Sequence, residues 1–333
     1  MSQAPAIVCV DKPSGATSHD VVQWVRWALR VKAVGHFGTL DPAATGLLVL
    51  GVGAATRLGP ILTGLDKSYA ATIVLGRSTT TADAEGDPVL EASCGELAAD
   101  ALRVAAEGLQ GSWQLPPPAV SAIHIDGQRA HARVRAGETV EMPNRPMTVS
   151  AVRDIVVTPG QEARVRLSVD VSKGTYVRSL AEELGRRLGV PAHLGQLRRL
   201  RVGSLTVDDA GTVAGLHATG APPRARVAFA DLADEDPDRR ETAAARLQAA
   251  LHPPWHGLPV PVVAIADGEG GQALWTALGH GQRPTPTAGQ LRAELPGQPG
   301  WVAIRAAGPA LFLCELDDAG TLHPKRRVAP ADA

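Results

Sequence analysis

The chain has 333 residues, 44% of them hydrophobic and 20% charged, enough for two domains with a substantial core and ordinary for a soluble globular protein, so disorder is not its main theme. Its formal net charge of -1 predicts no bulk attraction to polyanions, so a nucleic-acid partner must meet positive charge segregated into a patch. Three scattered cysteines, Cys9, Cys94 and Cys314, exclude a disulfide framework or zinc site and fit a reducing compartment. With no apolar run long enough to span a bilayer, a cytoplasmic protein with no membrane partner is expected.

In chain order, residues 7–10 read as a strand entering the turn Asp11-Lys12-Pro13-Ser14-Gly15. Thr17 or Ser18 then caps a helix whose apolar face carries Val21, Val22, Val25, Ala28 and Leu29. The stretch from Gly35 to Gly46 lacks helical or strand periodicity and holds one acid, Asp41, ahead of Pro42. Gly35, Gly38 and Gly46 allow backbone angles that other residues avoid, so the carboxylate is aimed by a rigid loop. A short helical or irregular link is expected over 56–63, a strand over 69–76 with Tyr69 at its start, a polar loop over 78–87 and an Ala-rich helix over 96–109. Residues 121–138 mix His, Arg and Gly with little periodicity and read as an exposed excursion.

Residues 148–157 and 163–171 read as strands, the second alternating cleanly, paired antiparallel through Pro159-Gly160. They lead into Ser172-Lys173-Gly174-Thr175-Tyr176-Val177-Arg178 and a helix that Ser179 and Glu182 are expected to open as a capping box. From Lys173 to Arg201 basic residues far outnumber acids, giving the local positive surplus hidden in the net charge. Residues 205–256 read as a connector containing an acidic stretch at 231–241 and a helix near 242–251. Short strands with glycine turns from 260 to 328 suggest a small barrel-like β domain.

The chain has no phosphate-binding loop, dinucleotide fingerprint, His-Glu-x-x-His or paired Cys-x-x-Cys, so no cofactor and no metal are expected. What stands out is one fixed carboxylate, an aromatic at a strand start and an arginine at a strand–helix junction. A carboxylate serves as general base, metal ligand or covalent nucleophile. The last role needs it ionised in a partly dry pocket, a need that a neighbouring arginine meets.

Five blocks in order give the chain a resemblance to the TruB family of bacterial tRNA pseudouridine synthases: Asp11-Lys12-Pro13-Ser14-Gly15, Gly35-His36 through Asp41-Pro42 to Gly46, Asp66-Lys67-Ser68-Tyr69, Ser172 through Arg178, and Leu197-Arg198-Arg199-Leu200. The resemblance implies an α+β fold, a large mainly antiparallel mixed sheet flanked by helices (the pseudouridine synthase fold), with a small C-terminal β-barrel-like domain of PUA type. The implied organisation is a catalytic core over 1–204, remaining core elements and connector over 205–256, and a PUA-like RNA-binding domain over 257–333. The implied reaction isomerises a T-loop uridine of tRNA, position 55 in tRNA numbering, to pseudouridine without a cofactor, in a monomer whose partner is the tRNA T arm.

The resemblance makes Asp41 the nucleophile, attacking either the uracil ring or the anomeric carbon. Tyr69 would stack on the target base and is able to assist removal of a proton, and Arg178 would pair with Asp41. His36 would occupy space vacated when bases leave the T-loop stack, and Leu197 would line the pocket. Lys12, Lys173, Tyr176, Arg198 and Arg199 are further substrate-binding candidates. Departures from the family pattern fall at Gln128-Arg129-Ala130-His131-Ala132 and at Thr79-Thr80-Thr81, which has lost one acid but keeps Asp83 nearby. Two other readings compete: a non-catalytic RNA-binding protein in which Asp41 only forms a turn, and an aspartate-nucleophile glycosidase, which needs a second carboxylate that the sequence does not point out.

Overall fold

The computed structural model describes residues 4–118, 124–125, 128–129, 142–208, 212–213 and 237–329. Most of the excursion at 121–138, residues 231–236 of the acidic stretch and the tail from 330 lie outside the described residues.

Strand β1 (Ala6–Lys12) leads to helix α1 (Ser18–Leu29). The cap is Thr17, in a reciprocal box: its hydroxyl accepts the Asp20 N–H at 3.0 Å and the Asp20 carboxylate accepts the Thr17 N–H at 2.9 Å. Strands β2 (Val34–His36) and β3 (Thr45–Val52) flank the Asp41 loop. A 3-10 turn (Gly53–Leu58) and the short helix α2 (Gly59–Leu62) follow, then β4 (Lys67–Leu75). The polar loop expected at 78–87 is the tip of a hairpin, β5 (Arg77–Thr79) and β6 (Pro88–Glu91). Helix α3 (Ala99–Glu107) and the unforeseen β7 (Gly111–Leu115) precede the short β8 (His124–Ile125) and β9 (Gln128–Arg129).

Strands β10 (Arg145–Thr158) and β11 (Arg164–Val171) pair antiparallel as the alternation predicts. Helix α4 (Val177–Leu188) does not open on the expected capping box. It starts two residues before Ser179, with Tyr176 as cap and no side-chain capping bond, and the buried Ser179 hydroxyl instead donates to the Pro116 carbonyl at 2.7 Å. A tertiary partner has displaced the local one. Next come β12 (Ala192–Val202), β13 (Leu205–Thr206) and β14 (Thr212–Val213), then helix α5 (Pro237–Ala249) and β15 (Leu251–His252). The C-terminal part comprises β16 (Val262–Ala264), α6 (Glu269–Gly279), β17 (Gly300–Arg305), β18 (Leu311–Leu316) and β19 (Leu322–Val328).

One mixed sheet of 11 strands organises the chain, with its main path β14-β1-β3-β12-β4-β11-β10-β7. Its pairings are antiparallel except β1 with β14 and β3 with β12. The β3–β12 contact is brief, Arg198 opposite Thr45 and Arg199 opposite Gly46, and sits just beyond the Asp41 loop. Strand β12 is central, yet the sequence shows only a basic run there. Register shifts at Leu194/Gln196 and Arg199/Arg201 break its alternation, and its arginines have partners that dissolve their apparent polarity.

Helices α3 and α4 bury their apolar faces on β4, β10, β11 and β12, around Leu102, Ile73, Leu167 and Leu184. Helix α1 packs with Leu247 of α5 on one face of β1 and β3. The other face, with Ile7, Cys9, Leu47 and Val49, packs on Ala303, Leu311, Leu313 and Val328 of the C-terminal sheet. Covered on both sides, β1 and β3 are apolar nearly throughout, as a doubly buried strand must be. The C-terminal sheet runs β16-β17-β18-β19 as an open path, and no closed barrel is found among the described residues. All three cysteines are buried. Among the described residues no helix is long and apolar enough to cross a membrane.

Candidate active site

The loop carrying Asp41 is held from beneath by buried cations. Lys12 is fully buried, its Nζ donating to the carbonyls of Pro13 (2.9 Å), Ala16 (2.6 Å) and Pro42 (3.0 Å). Arg199, 1% exposed, donates from Nε to the Leu47 carbonyl at 2.6 Å, from Nη1 to Thr39 at 3.3 Å and from Nη2 to Gly38 at 3.0 Å. The buried Ser18 hydroxyl accepts the Leu40 N–H at 2.8 Å and donates to its carbonyl at 3.0 Å. Carbonyls on both sides of Asp41 are thus satisfied by charged donors, and the backbone at the acid has little freedom to move. Of the three glycines expected to free the backbone, Gly38 (φ 142°) and Gly46 (φ 97°) adopt positive φ. Gly35 does not; it lies in β2 opposite Gly51.

Asp41 stands above this clamp with its side chain 43% exposed, and Arg178 Nη2 lies 3.2 Å from its Oδ2. The Arg178 side chain is 6% exposed, with Nη1 3.5 Å from Asp83 Oδ2 and donating to the Thr81 carbonyl at 3.1 Å. Asp83 Oδ1 in turn accepts from the Thr81 hydroxyl at 2.5 Å and the Glu85 N–H at 3.1 Å. The hairpin tip carrying Asp83 is pinned to β12 by reciprocal bonds, Ala84 N–H to the Leu194 carbonyl and Leu194 N–H to the Ala82 carbonyl, each 3.0 Å. One guanidinium therefore joins the Asp41 loop, the β5–β6 tip and the first turn of α4.

Next to this pair opens a cavity of about 590 Å³. Its walls are Asp41 and Ala43–Thr45 of the loop, Ala70–Thr72 of β4, Asp83 and Ala84, and Leu194–Arg198 of β12, with Ser14 and Arg166 completing the lining. Burial shapes the titration of groups around the Asp41 loop. Glu85 is raised above the usual carboxylate range by burial and then by Asp83, against the Ala43 amide, which lowers it. Lys12 is pushed down to about 8 by burial, opposed chiefly by Asp41. His36 is lowered by burial and by Arg199, which favours a neutral imidazole.

Asp41, Leu197 and Arg198 line the cavity, and Arg178 touches Asp41. Tyr69, 8% exposed, packs in the same cluster as Leu40 and Ala44, which bracket the acid. His36 ends β2, its Nδ1 accepting the Gly38 N–H at 3.5 Å. Lys12 and Arg199 are buried under the loop rather than turned to the cavity. Lys173 is exposed on the turn before α4 and Tyr176 caps that helix; neither lines the cavity. The basic surplus of 173–201 is largely matched internally: Arg186 and Arg187 bond Glu183, Arg198 grips Asp11 at 2.9 and 2.7 Å, and Arg201 meets Asp170 at 3.2 Å. Sequence reasoning noticed Asp83 only as a surviving acid and missed its place on Arg178. It missed Glu85, Thr72, Gln196 and Arg166 altogether, since single polar residues in a loop or strand carry no local signal.

The model of the TruB family pseudouridylate synthase N-terminal domain matches residues 26–177. That of the tRNA pseudouridylate synthase B C-terminal domain matches 178–253. A tRNA pseudouridine synthase B of Corynebacterium efficiens is 50% identical over 217 residues, covering 65% of this chain and 73% of the relative. The chain belongs to the TruB family. It is thus a pseudouridine synthase, an isomerase. A Mycobacterium avium relative of the same name is 49% identical over 62% of this chain and 67% of its own. Among solved structures, the chain in a Cbf5-Nop10-Gar1 complex superposes with a TM-score of 0.65 at 23% identity, covering 98% of this chain and 86% of that one. An H/ACA RNP bound to a substrate RNA containing 2'-deoxyuridine gives 0.64, also at 23% identity and with the same coverages. At that identity the likeness concerns the fold, the pseudouridine synthase fold.

Proposed function

We propose that the protein isomerises the T-loop uridine at position 55 of tRNA to pseudouridine, with Asp41 as nucleophile and no cofactor. The observation that carries this reading is the Arg178–Asp41 ion pair at 3.2 Å beside a cavity of about 590 Å³. The relatives named tRNA pseudouridine synthase B support the substrate.

The target base reaches a carboxylate in such a cavity only after leaving its stack, at a cost of a few kcal/mol offset by RNA contacts. Asp41 attacks the uracil ring or the anomeric carbon, and the bond from that carbon to nitrogen 1 breaks. The uracil turns, a bond from the anomeric carbon to its carbon 5 forms and the bond to Asp41 breaks, returning the free carboxylate; carbon 5 gives up a proton and nitrogen 1 takes one, so no oxidant or reductant enters. Arg178 serves as the counter-ion of Asp41 while Asp83 holds the far side of the same guanidinium. Tyr69 supplies an aromatic wall for the base, Leu197 an apolar one, and His36 fills the space left in the T loop. Lys12 and Arg199 act by positioning the Asp41 loop, whereas Lys173, Tyr176 and Arg198 are proposed to meet the RNA. The C-terminal sheet is assigned to a PUA-type RNA-binding domain, and the protein to a monomer in the cytoplasm.

Asp83 supplies the second carboxylate that a glycosidase would require, but its environment suits another role. Its Oδ1 accepts from Thr81 and Glu85, and its Oδ2 lies 3.5 Å from the Arg178 guanidinium, a setting that favours the ionised form. A glycosidase acid must donate a proton to the leaving group. The test is an unmodified tRNA transcript assayed for pseudouridine, beside a transcript carrying cytidine at position 55. Asp41→Asn is expected to lose turnover while its tRNA affinity stays within a few-fold. Normal turnover by that variant, or modification elsewhere in the cytidine transcript, would overturn the assignment.

A further inference from the structure

We propose that Arg166 is a phosphate-binding residue of the cavity, holding the RNA backbone beside the extruded base. The inference rests on the reading above that RNA is the substrate. Arg166 lies on β11, opposite Thr72 of β4, which is itself opposite Gln196 of β12. All three line the cavity that holds Asp41. From the loop before β3 to β11 the path crosses β12 and β4, about 14 Å at the usual strand spacing. That places Arg166 within the span of nucleotides flanking a splayed-out base. The cavity's volume of about 590 Å³ corresponds to roughly twenty waters in the liquid, room for a nucleotide rather than a base alone.

The charge on Arg166 is what distinguishes it. Neighbouring guanidiniums are neutralised inside the protein: Arg164 meets Glu162 at 2.6 Å, Arg153 meets Asp170 at 2.8 Å, and Arg198, in the same cavity, meets Asp11 at 2.7 Å. Arg166 is exposed, and its side chain has no hydrogen bond or ion pair among the described residues. Its cross-strand neighbours are Thr72 and Val156, neither of them charged. With no acceptor for it among the described residues, this guanidinium has its donors available for a ligand that presents oxygens in pairs. On an RNA strand entering this cavity that ligand is a phosphate, whose geometry the planar fork matches.

The test measures tRNA binding on the Asp41→Asn background across a range of salt, and turnover with Asp41 intact. Arg166→Gln should weaken binding by roughly 5-fold and reduce the slope of log affinity against log salt by about 0.7–0.9, the loss of one phosphate contact. Saturating turnover should be unchanged while KM rises. Arg166→Lys should restore the slope, because the charge returns. Arg164→Gln, two residues along the strand and outside the cavity, should leave the slope as it was. The inference is overturned if Arg166→Gln binds with the parental slope, if Arg164→Gln shifts the slope equally, or if saturating turnover falls with affinity intact. If the parent protein itself fails to bind tRNA, it is the substrate reading that has failed, which the parental titration shows before any Arg166 variant is compared.

Discussion

Arg199 and Gly38 are 161 positions apart in the sequence, yet Arg199 Nη2 donates to the Gly38 carbonyl at 3.0 Å. With its bonds to Thr39 and Leu47, the arginine ties the Asp41 loop to the central strand from below. A residue that reads in the sequence as part of an RNA-facing basic run is a buried strut.

Removing that strut leaves three buried or half-buried carbonyls without a donor. Arg199→Ala should destabilise the protein by about 3–5 kcal/mol, with Arg199→Lys recovering only part because one ammonium cannot reproduce the fork. Urea unfolding measures it, and an unchanged midpoint for Arg199→Ala would show that the clamp contributes nothing.

Arg178 bridges two carboxylates and a carbonyl, a geometry that a lysine cannot span. Arg178→Ala and Arg178→Lys should both reduce single-turnover isomerisation by about 100-fold or more, with tRNA affinity within a few-fold of wild type. A large loss of binding with normal turnover would make Arg178 a phosphate contact instead.

Gly46 and Gly35 should respond very differently to a methyl group. At Gly46 a Cβ would stand 2.2 Å from the Arg199 carbonyl oxygen, and φ is 97°. Backbone lies on both sides of that clash, so Gly46→Ala should cost more than about 3 kcal/mol. At Gly35 the nearest atom is a Thr56 methyl at 3.8 Å, and Gly35→Ala should stay within about 1 kcal/mol. Equal melting shifts for the two variants would contradict this.

Lys12 and Lys67 are each pushed from 10.5 down to about 8, in both cases by burial first. Between those pH values the unfolded chain binds more protons than the folded one, so unfolding takes up protons and stability rises with pH. Below about 8 both states are charged and this contribution is flat. Lys67→Met should therefore show a shallower rise in unfolding free energy from pH 8 to 10 than wild type. A parallel rise in the two proteins would mean that Lys67 titrates normally.

The paired strands β10 and β11, the Thr17-capped helix and the rigid Asp41 loop were legible because each rests on neighbours in the chain: alternation, a cap three residues from its partner, glycines beside a proline. The same local logic misplaced the start of α4, where Ser179 bonds Pro116 instead of its own helix. It also overlooked β12, whose bulges scramble the alternation that marks a strand.

By itself the sequence determined the α+β character, the identity of the carboxylate loop and, through five ordered motifs, the family. Only the tertiary structure decided which charges act on that carboxylate. Arg178, Arg199, Arg198 and Arg166 look alike in a linear reading. The strand order β3-β12-β4-β11 gives the first two Asp41 and its loop, gives Arg198 the Asp11 carboxylate, and leaves Arg166 facing the cavity. A charge's role depends on the partner and the burial it meets, and both come from distant parts of the chain.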